Sequence, residues 1–257
     1  MRTKLAIISD VHANASALSA VLEDIDRSGV RAVACLGDTV GYGASPAACI
    51  SMIAALGERL VVHVRGNHED ALFDADAFAE MNEVARTAIR WTGRQLPRPH
   101  LEWLRRVPGG AEFGCVQAVH DSPMPAANTY LRDRSGAAVA FRGVASEICL
   151  VGHTHVPMLF RTSRDAPDAA PRVDEITAHL LHADESISLA RGERFILNPG
   201  SVGQPRDADC RASYGVLDLE RRVFTIRRVE YDLPAAQRAL ELAGLPDRLA
   251  SRLAVGV

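Results

Sequence analysis

Five times before residue 156 an apolar run of strand length stops at Asp, His or Asn: Ser9-Asp10-Val11-His12, Gly37-Asp38, Gly66-Asn67-His68-Glu69, His120 and Gly152-His153-Thr154-His155. Between the first three runs lie segments whose apolar residues recur at helical spacing. This alternation constrains the fold more than any other feature. A chain that runs strand, helix, strand, helix buries its strands as a largely parallel sheet with helices on the faces. Ligands in such sheets sit beyond the carboxyl ends of the strands, which is where each motif falls.

Residues 4–9 form a β-branched, apolar run. Asn14 can cap a helix over 15–28, in which Leu18, Val21, Leu22 and Ile25 share one face and Gly29 closes the end. The unit repeats with a strand over 32–36, the loop Gly41-Tyr42-Gly43, a helix over 46–56 and a third strand over 60–64. Two helices are expected between 77 and 106, with Trp91 and Trp103 as core residues, and strands over 115–119 and 148–151 then deliver His120 and the His153/His155 pair. Residues 161–172, rich in Pro, Asp, Arg and Ala, read as an exposed loop that opens a loop and hairpin insertion over 161–194. Strands at 176–181, 186–189, 195–197, 214–219 and 223–229 are expected to extend a second sheet as antiparallel hairpins, and helices over 234–242 and 246–253 form a tail. The expectation is one domain over 1–257, with the motifs in 5–155 and C-terminal strands and helices in 195–257.

At 257 residues and 47% hydrophobic content the chain can bury a sizeable core. Its 29 Lys and Arg against 32 Asp and Glu give no general attraction to nucleic acid or anionic lipid. The apolar run before Asp10 is too short for the core of a signal peptide, and no stretch approaches the roughly 18 apolar residues of a membrane span. The five cysteines have no CxxC spacing, and Cys35, Cys115 and Cys149 lie in strand-like runs where a thiol packs as a small hydrophobe. A cytoplasmic location is expected.

Asp10 and His12, separated by one residue, can both serve one metal if the strand end turns there. Asp38 has two carboxylate oxygens and can bridge two ions. Asn67 offers a neutral amide oxygen, while His153 and His155 at i, i+2 lie on one side of an extended segment. Two divalent ions about 3.5 to 4 Å apart would polarise a phosphoryl group and supply hydroxide near neutral pH, so no nucleophilic side chain is needed.

The order D-x-H, G-D, G-N-H-[DE], lone His, G-H-x-H resembles the calcineurin-like metallophosphoesterase superfamily over roughly residues 5–155. The segment Asn198-Pro199-Gly200-Ser201-Val202 is similar to its small bacterial and archaeal members. The resemblance implies a four-layered α/β fold, an αββα sandwich of two mixed sheets flanked by helices. It implies that Asp10, His12 and His155 hold one divalent metal and Asn67, His120 and His153 a second, with Asp38 bridging. Mn, Fe, Zn, Ni and Co all suit such N/O ligands, with Mn the first expectation. His68 would be the catalytic residue, protonating the leaving oxygen or steadying the transition-state charge.

The expected activity is hydrolysis of a phosphomonoester or phosphodiester, the partner being a small phosphate-ester substrate, with a homo-oligomer compatible. A nuclease is the rival enzyme reading, although no basic stripe suits long nucleic acid; a binding or scaffold protein that kept the fold without catalysis is the other. Asp121 stands where similar proteins have Gly, and could orient His120 or repel an anion. The Asp-Arg pair that follows G-D-x-V in Ser/Thr protein phosphatases is absent. Tyr42 and Arg206 are the candidates for contacting substrate. His63, His100, His179 and His182 are read as structural, and Arg221-Arg222 and Arg227-Arg228 as solvated charges.

Overall fold

The computed structural model describes residues 4–124, 130–163 and 171–257. Its strands are β1 (Lys4–Ile8), β2 (Ala32–Cys35), β3 (Leu60–His63), β4 (Gly110–Phe113), β5 (Val116–Val119), β6 (Ile148–Leu150), β7 (Pro157–Thr162), β8 (Ile176–Leu180), β9 (Ser186–Ser188), β10 (Arg194–Pro199), β11 (Ala212–Asp218) and β12 (Val223–Val229). They form two six-stranded sheets, ordered β3-β2-β1-β11-β12-β9 and β4-β5-β6-β10-β7-β8. The helices are α1 (Ala15–Arg27), α2 (Pro46–Ala54), α3 (Asn67–Asp70), α4 (Ala75–Glu80), α5 (Glu83–Gln95), α6 (Arg98–Arg105), α7 (Arg134–Ala140), α8 (Leu233–Leu242) and α9 (Asp247–Val255).

Both sheets are mixed. β1, β2 and β3 run parallel while β11 joins β1 antiparallel, and β10 lies parallel to β6 but antiparallel to β7. The two-residue period of β1 sets the layering. Leu5 and Ile7 point into a core shared with Ile148, Leu150, Phe195 and Leu197 of the other sheet, whereas Ala6 and Ile8 meet Leu18, Val21 and Ile25 of α1. Across the second sheet, Cys149 and Ile196 pack on Ala137, Ala140 and Phe141 at the α7 end. The result is helix, sheet, sheet, helix. Each fully buried Leu, Ile or Phe contributes about 1.5–3 kcal/mol to this sandwich.

Several local expectations need correction. Strands β9, β11 and β12 extend the first sheet, not the second, because β11 is buried along most of its length and takes β1 and β12 as its two neighbours. The region expected to give two helices after residue 77 gives three, α4 to α6, and Asn67 opens the short α3 instead of closing a strand. The expected loop over 161–172 lies mostly outside the described residues, and its first two residues end β7. Residues 176–180 and 186–188 are the edge strands of the two sheets. Cys115 sits exposed in the turn before β5. Arg222 grips Glu147 through two hydrogen bonds of 3.0 and 2.6 Å, and the buried Arg228 pairs with Asp207, so neither is a free solvated charge. Trp91 and Trp103 pack against core clusters as expected, and the His63 ring lies 4.8 Å from that of Trp103 at a tilt of 38°.

Candidate metal centre

Beyond the ends of β1, β2, β3, β5 and β6 the backbone turns sharply, and the motif side chains converge. Asp10, His12, Asp38, Tyr42, His153 and His155 all have positive φ, between 46° and 66°. Non-glycine residues rarely adopt this left-handed form, and they persist in it only where surrounding contacts fix them. Here the parallel pairing of β1 and β2 continues past the strands: the N–H groups of Asp10, His12 and Ala13 donate to the carbonyls of Gly37, Asp38 and Thr39 at 3.0, 2.8 and 2.9 Å. His153 and His155 therefore sit on a tight turn and not on an extended segment. That turn sends the two imidazoles to different neighbours.

Asp10, His12 and His155 form one group of possible ligands, Asp38, His120 and His153 another, and His12, Asp38 and His68 a third that overlaps the first two, with the donor atoms within 4.8 Å of one another in each. Asp38 lies between them. Its Oδ2 is 3.7 Å from His12 Nε2, 3.2 Å from His120 Nε2 and 4.0 Å from His68 Nε2. Asn67, at the start of α3, presents a buried amide oxygen that no N–H or O–H group of the described residues reaches.

Three histidines are oriented by backbone carbonyls. His12 Nδ1 meets Val40 O at 3.2 Å, His120 Nδ1 meets Leu36 O at 2.7 Å and His155 Nδ1 meets Gln204 O at 2.6 Å. A ring that donates through Nδ1–H keeps its Nε2 lone pair for a metal. His12 Nε2 and His155 Nε2 stand 3.0 Å apart, so two lone pairs face each other with a cation the natural occupant between them. Burial holds both imidazoles well below their usual range, which keeps them neutral.

The two carboxylates also call for positive charge. Burial pushes Asp10 up to about 6. Burial opposes ionisation of Asp38 too, but His120, His68 and His12 around it outweigh that and hold it well below the carboxylate range. His120 is likewise buried, yet Asp38 and Asp10 hold it up to about 10, so the two carboxylates favour a positive charge at this point. Donor types, orientation and charge thus fit divalent metal.

His68 lies beside this cluster, its ring 4.7 Å from that of His12 and 4.5 Å from that of Tyr42. Its backbone N–H donates to Asp38 Oδ1 at 2.9 Å, and burial pulls the imidazole down to about 4. Tyr42 is buried, with the Arg206 guanidinium 5.8 Å from its ring centre. The expected metal, catalytic and substrate residues therefore come together at one place. A cleft of about 420 Å³ opens over them, lined by Asp38, Asn67, His68 and His153 on its inner side, and no described residue of 161–194 lines it.

Sequence reasoning assigned no role to several residues that hold the site. The buried Glu69 carboxylate accepts N–H bonds from Asp38 (2.9 Å), Val40 (3.1 Å) and Gly66 (2.9 Å), tying two motif loops together. Asn198 donates to Gly152 O at 2.7 Å and Thr154 Oγ1 at 3.0 Å, and the Ser201 hydroxyl donates to Asp10 O at 2.7 Å. Their signal was the polar Asn198-Pro199-Gly200-Ser201 segment at the end of an apolar run. Tyr130 stacks on His153 with ring centres 4.4 Å apart, and nothing in its sequence surroundings marks it.

Comparison with known proteins agrees with this geometry. Residues 3–222 match the domain described as the calcineurin-like phosphoesterase superfamily domain. An uncharacterised protein of Methanocaldococcus jannaschii is 33% identical over 261 residues, covering 100% of this chain and 99% of that one. The crystal structure of a metallophosphoesterase from Sphaerobacter thermophilus is 38% identical, covers 99% of each chain and superposes with a TM-score of 0.85. A hypothetical protein of Pyrococcus horikoshii, 20% identical with 99% and 98% coverage and a TM-score of 0.75, shares the fold. With its motif order, two-sheet architecture and clustered ligands in agreement, the chain belongs to the calcineurin-like phosphoesterase superfamily.

Proposed function

We propose that the protein is a phosphoesterase that holds two divalent metals and hydrolyses a phosphomonoester or phosphodiester. The observation that carries this reading is the arrangement of three overlapping groups of possible ligands around Asp38, with His68 at their edge, in one cleft. In this reading Asp10, His12 and His155 hold the first ion, Asn67, His120 and His153 the second, and Asp38 both. Bound there, the ions supply Lewis acidity toward the phosphoryl oxygens and bring a water's pKa toward neutrality.

The remaining work falls to the chain. Arg206, fixed by its N–H bond to His155 O at 3.2 Å and its contact with Gln204 at 3.0 Å, brings a fixed cation to the phosphoryl group. Tyr42 walls His68 on one side and keeps water from it. His68 gives its proton to the leaving oxygen; the imidazole is held low by burial, and the negative charge of an arriving phosphate works in the opposite direction and favours the protonated ring. Manganese is the metal we favour. The same reading puts the enzyme in a reducing cytoplasm, which suits its five free cysteines; among the described residues no helix is long and apolar enough to cross a membrane.

The test is hydrolysis of bis(p-nitrophenyl) phosphate by chelator-stripped protein titrated with Mn²⁺, beside Asp38→Ala. Activity restored by metal in the wild type and absent in the variant is expected. Equal activity with and without metal, or an active Asp38→Ala, refutes the reading.

A further inference from the structure

We infer that the cleft selects phosphate esters whose one phosphate is the reacting one, and that Glu80 and Asp121 impose this by excluding a second anionic group. The inference rests on the phosphoesterase reading and names the substrate class of that site. Among the described residues lining the cleft, the one Lys or Arg is Arg206, and it is held at the inner end beside His155 and Tyr42. Three carboxylates outside the ligand cluster also line the cleft: Asp70, Glu80 and Asp121. Asp70 is neutralised by its ion pair with Arg65. Glu80, at the end of α4, and Asp121, directly after His120, are exposed, and among the described residues neither has an ion-pair partner. The rest of the outer lining is uncharged: Ala77, Met81, Asn82, Ala85 and Tyr130.

The charge in the cleft is therefore divided. Its inner end suits one phosphate, and its outer part carries two carboxylates that have no ion-pair partner among the described residues, in a chain whose overall charge is nearly balanced. A substrate with an uncharged or cationic remainder crosses this rim freely. One that carries a further, doubly charged phosphate about 8 Å from each carboxylate is disfavoured about sixfold per carboxylate in water, or about 35-fold for the two, at low ionic strength.

The experiment uses Mn²⁺-loaded protein and two chromogenic esters, p-nitrophenyl thymidine 5′-phosphate and the same ester bearing a 3′-phosphate. Both release p-nitrophenol from the same kind of phosphodiester. Wild-type kcat/KM is expected to be at least about tenfold lower for the 3′-phosphorylated ester, with the difference mainly in KM and shrinking in about 0.5 M NaCl. The E80Q/D121N double variant should bring the ratio below about threefold, while E80D/D121E should keep it. Both changes are at exposed positions, and a circular-dichroism spectrum verifies the fold. Equal handling of the two esters by the wild type, or an unchanged ratio in E80Q/D121N, overturns the selectivity and leaves the phosphoesterase reading standing. No p-nitrophenol from either ester or from p-nitrophenyl phosphate, with two metals bound per chain, overturns that reading and this one with it.

Discussion

Gly152→Ala tests whether the motif glycines are there for close approach. A methyl at Gly152 would lie 2.0 Å from Ser9 Oγ, 2.8 Å from Asp10 Oδ2 and 3.1 Å from Ser9 Cβ. Ser9 and Asp10 are fully buried, so neither can swing into solvent. The contact with Ser9 is short of ordinary separation by more than an ångström, and overpacking of this kind costs about 1–3 kcal/mol. Asp10 also accepts the His153 N–H at 3.1 and 3.2 Å on its two oxygens, so moving the carboxylate disturbs two proposed ligands together. Ligand distances tolerate about 0.2 Å, and misplacing a ligand costs about 10- to 100-fold in metal affinity. Urea denaturation of the chelated protein reads the first effect and Mn²⁺ titration calorimetry the second. Adding Ser9→Ala removes the 2.0 Å contact but leaves the one with Asp10 Oδ2, so the double variant should regain stability without regaining affinity. Gly152→Ala with unchanged stability and unchanged metal affinity would refute the reasoning.

His68→Ala should retain both metals by elemental analysis and lose about 10²- to 10⁴-fold in kcat toward an ester with a poor leaving group; unchanged turnover removes the role given to His68. Alkaline pH should destabilise the protein through its buried thiols, since burial pushes Cys35 and Cys149 up to about 12 and Cys49 up as well. The unfolded chain releases these protons from about pH 9 while the folded one keeps them, so stability is full below pH 9 and falls as pH rises toward 12, by about 1.4 kcal/mol per thiol at pH 10. Cys149→Ala should therefore lose about 1.4 kcal/mol less than the wild type between pH 7.5 and 10 in urea denaturation, and equal losses would count against the assignment. Native alkylation at pH 8 should modify the exposed Cys115 well before Cys35, and the reverse order would be the refuting result.

The alternation of β1, α1, β2, α2 and β3 was legible because each element has its own periodicity and each boundary its own cap, such as Asn14 accepting the Ala17 N–H at 3.1 Å. Which strand lies beside which was not. β11 pairs with β1 across more than two hundred residues of chain, and β10 enters between β6 and β7. A strand's own sequence reports that it is buried and on how many faces, but not the neighbour that takes its backbone hydrogen bonds. The same limit hid α3: Asn67-His68-Glu69 reads as a strand end, and the helical turn is fixed by the Glu69 side chain accepting the Gly66 N–H at 2.9 Å, within a network formed only once β2 and β3 are paired.

The candidate site residues stand out in the sequence by type and order, yet their geometry depends on backbone conformations that sequence periodicity would not assign to them. Of the ten non-glycine residues with positive φ among the described residues, seven (Asp10, His12, Ala13, Asp38, Tyr42, His153 and His155) belong to the loops that build the candidate metal centre. Each costs on the order of 1 kcal/mol or more in isolation. A strand ending in D-x-H without those turns would keep both side chains on one face, with Val11 on the other; with them, Val11 is buried in the helix-side core while Asp10 and His12 converge on His155. The strain is compensated by contacts from other segments: Ser201 to the Asp10 carbonyl, Asn198 to the Gly152 carbonyl, Glu69 to the Asp38 N–H. This accounts for the polar residues that carry no chemistry of their own but lie around the centre. They hold the candidate ligand loops in a form the chain would otherwise leave, so that the donors converge without an ion to gather them.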